Sequence, residues 1–194
     1  MREQSIVGNY YRLAPKKCLD VIVLHYDGFP AMMKDYENEL QDWILISRAR
    51  ARQEALGDLG VRVQTGKANV SVTENSALEN IKVEEIMKAG KLDDSCKCLP
   101  DYDEISHGLS ELKLMKREYE LLKIKLHTLF PRDREVFECY IRRQKRTADL
   151  AQELHMTENS VKSKMCLIKK KLYAGLVERL DTYTDETIVL WGLM

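Results

Sequence analysis

Between residues 102 and 129 the chain repeats an apolar residue every seven positions. Ile105, Leu112, Tyr119 and Leu126 form one register, and Met115, Leu122 and Leu129 follow the last three of these by three residues, with charged residues between. At about 3.6 residues per turn such positions share one stripe, the pattern of a helix packed along its length against another helix. The segment therefore needs a partner. Two are open: a helix expected at residues 31–56, folded back as a hairpin, or the same helix in a second subunit, which would make the protein a homo-oligomer through residues 102–129.

The first of these partners begins after Asp27-Gly28-Phe29-Pro30. Met33, Tyr36, Leu40 and Trp43 recur at three and four, the pattern continues to Leu56, and Gly57 and Gly60 end it. Residues 61–76 alternate β-branched and polar residues, but Gly66, Asn69 and Asn75 break every run, which reads as a loop or weak hairpin. A short helix is expected from Ala77 to Lys88, stopped by Gly90, with a connector to residue 101. Upstream, Val21 to Leu24 is an apolar run far too short to cross a bilayer, and nothing resembling a signal peptide precedes it. The expectation is a cytoplasmic protein without membrane contact.

Composition supports a globular chain, at 44% hydrophobic and 32% charged residues. The five cysteines (Cys18, Cys96, Cys98, Cys139, Cys166) are odd in number and irregular in spacing, which argues against a disulfide framework. Cys96 and Cys98 are too close together, with only His107 near, to read as a structural zinc site. No metal or cofactor is expected. His25, His107, His127 and His155 are scattered and fall into no catalytic spacing, so an enzyme is not expected either.

Charge is balanced overall and unevenly placed. Residues 131–175 hold eleven basic and six acidic side chains, a surplus of five that the rest of the chain cancels, since the total is zero. A basic module on an acidic remainder points to nucleic acid.

Within that module, Val136, Phe137, Tyr140 and Ile141 share one helical face after Pro131. The next helix, TADLAQELH, buries Leu150, Ala151 and Leu154, with Thr147 as its expected cap. His155-Met156-Thr157 then form a tight turn in which Met156 is expected to plug the core and Thr157 to cap the following helix. In that last helix Val161, Met165, Ile168 and Leu172 stay within roughly 40° of one another at about 100° per residue. Asn159, Ser163 and Lys170 fall on the opposite side, with Lys162 and Lys169 on one shoulder and Lys164 and Lys171 on the other. The pattern is helix, turn, helix. A helix fits the major groove, where short polar side chains near its N-terminus reach base edges and lysines further along neutralise phosphates.

These residues carry a family resemblance. ADLAQELHMTENSVKSKMCLIKKKL resembles region four of bacterial sigma-70 family RNA polymerase sigma factors and their phage relatives, and PRDREVF resembles the helix that begins that region. The resemblance covers residues 129–175. It implies that Glu158, Asn159, Lys162, Ser163 and Cys166 face bases, that Arg146, Thr147, Thr157 and Lys169 lie nearer the backbone, and that Ser160 and Lys170 belong to the same DNA-binding surface. One departure is His155, where relatives usually have Gly; His enters left-handed backbone space only at some cost. Another is Glu158, which suits a helix N-terminus but repels phosphate, so that it either reads a cytosine amino group or stays solvated. The front of the chain is similar, more loosely, to phage late-gene regulators of the ArpU and RinA type.

The expectation is thus an all-α chain: a helical N-terminal region over 1–100, a long heptad helix over 101–130, a three-helix helix-turn-helix module over 131–175 and an apolar tail over 176–194 that packs on the body or a partner. Its implied role is a sequence-specific regulator of transcription that binds double-stranded DNA, with host RNA polymerase as a further partner. A phage packaging subunit of the small-terminase type would use a similar module beside an oligomerising hairpin. A coiled-coil interaction protein would have the seam and no DNA affinity.

Overall fold

A computed structural model describes residue 10 and residues 12–56, 72–142 and 146–190. Side chains of residues 15, 55–56, 72–76, 175 and 177–190 lie outside the description. The described residues are helical: α1 (Pro15–Leu24), α2 (Phe29–Leu56), α3 (Val72–Ala89), α4 (Tyr102–His127), α5 (Pro131–Ile141), α6 (Thr147–Glu153) and α7 (Glu158–Leu190), with a short 3-10 turn at Asp94–Cys96 before α4. The expected all-α class holds. Among the described residues no helix is long and apolar enough to cross a membrane.

The chain divides into two compact units, one drawn from the described residues of Met1–Met32 and Leu114–Met194, the other from Met33–Lys113. In the second unit α2 and α4 run antiparallel. The Tyr36 hydroxyl donates to Glu111 Oε2 at 2.8 Å, Leu40 lies against Gly108, and Arg50 pairs with Asp101 at 3.6 Å. Leu40 and Ile44 of α2, Val83 and Ile86 of α3, and Ile105, Leu109 and Leu112 of α4 are buried. The connector is tied down by Arg48, which donates to the sulfur of buried Cys96 at 3.3 Å; Cys98 is exposed. Here the apolar seam meets a helix of its own chain.

The other unit contains a helix absent from the sequence reading. In α1 the buried stripe is Cys18, Leu19 and Ile22, while Val21 and Val23 are half-buried and Leu24 is exposed. Apolar residues on every side hid the three-to-four spacing. Beyond it Tyr10, Tyr26, Phe29 and Tyr119 form an aromatic cluster: the Phe29 and Tyr119 rings stack at 5.7 Å, Tyr26 lies 5.7 Å from Tyr119, and Tyr10 lies 6.1 Å from Phe29. Met115, Leu122 and Leu126 of α4, Val136, Phe137 and Ile141 of α5, and Leu150 and Ala151 of α6 are buried in the same unit.

Other boundaries shift as well. α3 starts at Val72, five residues before the expected Ala77, and ends at Gly90, whose φ of 64° is the left-handed stop that glycine permits. Most of the expected loop at 61–76 lies outside the described residues. α7 runs on to Leu190, past the expected end of the module at 175, and the end of the apolar tail lies outside the described residues.

Candidate nucleic-acid interface

α6 starts with Arg146 as its N-cap, whose backbone N–H donates to Asp149 Oδ2 at 3.0 Å. Thr147, expected to cap, sits one position inside the helix and is half-buried. Asp149, three residues on, accepts from the N-cap N–H as the N3 half of a capping box, so the chain enters the helix on Arg146 with Thr147 one residue inside.

The helix ends in a double hydrogen bond across its last turn. The N–H of Met156 donates to the Ala151 carbonyl at 2.9 Å and that of His155 to the Gln152 carbonyl at 3.2 Å, while His155 takes φ 53°. This is a Schellman stop with histidine in the position that glycine usually fills. Met156 does not plug the core: it is 38% exposed. It instead lines a surface depression together with Ser160, Lys164 and Leu167. Thr157 then caps α7 as expected, accepting from the Ser160 N–H at 3.2 Å and bonding the Ser160 hydroxyl at 2.8 Å.

α7 buries Val161, Met165, Ile168, Leu172, Tyr173 and Leu176. Asn159, Ser160 and Ser163, together with Met156, Lys164 and Leu167, line an open depression along the opposite side. Thr157, Glu158, Lys162, Cys166 and Lys170 are also exposed, as is Arg146 at the start of α6. Nine of the eleven residues expected at the interface are thus exposed, and Thr147 and Lys169 are half-buried.

Lys169 is engaged within the chain: its ammonium lies 2.6 Å from Asp20 Oδ1 of α1 and 5.1 Å from the centre of the Tyr173 ring. The Tyr173 hydroxyl donates to the same carboxylate oxygen at 3.0 Å. Burial opposes ionisation of Asp20, but the bonds from Lys169 and Tyr173 outweigh it and hold the carboxyl below its ordinary value. Burial, with that same carboxylate, pushes the Tyr173 phenol up.

Two further cations of the basic module are engaged within the chain. Lys164 is half-buried and pairs with Asp133 in the first turn of α5 at 2.8 Å, which fixes α5 against α7. Arg142 lies 3.5 Å from Asp27 and over the Tyr26 ring at 5.8 Å. The basic surplus read from the sequence therefore overstates the charge offered to a partner. Asp20, Asp27 and Asp133 shape this surface and were missed, since their partners lie far away along the chain; the exposed Leu167 was missed as well. Asp133 alone gave a local signal, as a carboxylate in a helix first turn.

No family model, no curated protein and no solved structure matches this chain.

Proposed function

We propose that the module of residues 131–175 binds double-stranded DNA in a sequence-dependent way, and that the protein regulates transcription in the manner of sigma region four, at promoters and with RNA polymerase. The observation that carries this reading is the capped, tightly turned entry into α7: the Schellman stop at His155 and the Thr157 cap present Asn159 and Ser163 opposite the buried Val161, Met165 and Ile168 stripe. Short polar side chains in the first two turns of a helix, clear of the core, are the geometry that reaches base edges in a major groove. Exposed Arg146, Lys162, Lys170 and Lys171 flank them as cations for phosphate.

The test is selection of bound sequences from a random duplex pool by the full chain, followed by transcription from a template carrying the recovered site, with and without bacterial polymerase. A recovered consensus and a change in polymerase initiation at that site support the reading. Binding without any sequence preference, or none at all, overturns it.

A further inference from the structure

The depression on α7 is lined by two exposed apolar side chains. Leu167 is 59% exposed and Met156 is 38% exposed, and both line the same open surface as Asn159 and Ser163. A single exposed leucine is ordinary on a protein surface. Two apolar groups beside an exposed asparagine, on the side of the helix opposite the buried stripe, form a composite of apolar and hydrogen-bonding chemistry. In the major groove an adenine–thymine pair presents that combination: adenine offers N7 and N6 to an amide, and thymine offers an apolar C5-methyl group.

Resting on the DNA-binding reading, we infer that Leu167 and Met156 are specificity-determining residues that recognise thymine methyl groups, with Asn159 reading adenine beside them. The anchoring contacts leave this arc open. Lys164 is drawn to Asp133 on one flank and Lys169 to Asp20 on the other, so the surface between them is the one α7 presents. The neighbouring Ser160 hydroxyl is tied to Thr157 at 2.8 Å, which leaves the apolar pair and the Asn159 amide as the distinctive chemistry of the depression.

The methyl group can be removed without changing base pairing, by placing deoxyuridine where the selected duplex has thymine. For the full-length protein, deoxyuridine at the thymine read by the pair should weaken binding about fourfold, the scale of one lost buried methyl. Met156→Ala with Leu167→Ala should weaken binding to the thymine duplex by a similar or larger factor and bind the thymine and deoxyuridine duplexes equally. Both side chains are exposed, so melting of the double variant should match the parent. A consensus without thymine, a parent protein indifferent to deoxyuridine, or a double variant that still distinguishes the two duplexes would overturn the inference while leaving sequence-dependent binding intact. Failure to select any sequence would remove the functional reading, and the inference with it.

Discussion

Gly108 of α4 lies so close to Leu40 of α2 that a Cβ added at Gly108 would stand 2.5 Å from a Leu40 methyl and 3.1 Å from the Tyr36 hydroxyl. Gly108 is also the vacant position of the heptad seam, three residues after Ile105, where an apolar residue would continue the Met115 and Leu122 series. By pattern alone, leucine there should stabilise the helix pair. By geometry it should not, because Leu40 is 1% exposed and has little room to move. Gly108→Leu is expected to lower stability by about 1–3 kcal/mol, the usual cost of overpacking, despite a helix-propensity gain of about 0.8 kcal/mol. Urea unfolding measures it. A variant as stable as the parent would show that the two helices do not approach this closely.

A second expectation concerns pH. Glu118 is 3% exposed beside the seam and accepts a hydrogen bond from the buried Tyr10 hydroxyl; the Tyr10 backbone carbonyl accepts from the Cys18 thiol at 3.6 Å. Burial pushes the Glu118 carboxyl from 4.5 to about 7, against the opposing effect of the Tyr10 bond. Because the folded value lies above the unfolded one, the native state holds more protons across that window, and stability declines as pH rises from roughly 4.5 to 7. The contribution is complete below the unfolded value and gone above the folded one. The total is at most about 3.5 kcal/mol, from about 1.4 kcal/mol per pH unit of separation. Glu118→Gln keeps an acceptor for Tyr10 and removes the titration, so its unfolding free energy should stay flat where the parent's falls. A parent protein equally stable at both ends of the window would rule out a buried, proton-holding Glu118.

The Asp20 and Lys169 pair gives a third. Both side chains are nearly half exposed, 45% and 43%, so their attraction is modest, on the order of 0.2–1 kcal/mol. While Asp20 holds Lys169, a phosphate must compete for the same ammonium. Asp20→Asn should therefore raise DNA affinity by about two- to fivefold at low salt and steepen the salt dependence by about 0.9 in log–log slope. Loss of a nearby negative charge would also favour DNA at a distance, and a double-mutant cycle separates the two causes. In a Lys169→Gln background Asp20→Asn should give no gain. A gain that survives there would assign the effect to the general field.

How far these features could be read in advance depended on the range of the physics behind them. Heptad spacing and the Val161, Met165, Ile168 stripe are local periodicities, so α4 and the inward side of α7 were legible residue by residue. The Thr157 cap and the left-handed demand at His155 are local too. By contrast, the burial of Glu111 and Glu118 beside the seam depends on tyrosine hydroxyls arriving from Tyr36 and Tyr10, and the pairing of Lys164 and Lys169 depends on carboxylates delivered by other helices. A charge counted in sequence carries no information about its partner. That is why the cationic side of α7 was overestimated.

The last expectation separates reading from anchoring along α7. Asn159 and Ser163 are exposed in the depression, so alanine at either should change which base is preferred, by roughly 1–3 kcal/mol at the position concerned. Lys170 is exposed about two turns beyond Ser163 on the same side and has a long reach to the backbone, so Lys170→Ala should weaken all sequences about equally and lower the salt slope by about one. Lys169→Ala should have the smaller effect of the two lysine changes, since Asp20 already engages that side chain. Competition binding against single-base variants of the selected site, repeated at several salt concentrations, measures all four together. Should Lys170→Ala change base preference while Asn159→Ala and Ser163→Ala lower affinity uniformly, α7 enters the groove by its C-terminal half, and the depression near Thr157 faces the backbone instead of the bases.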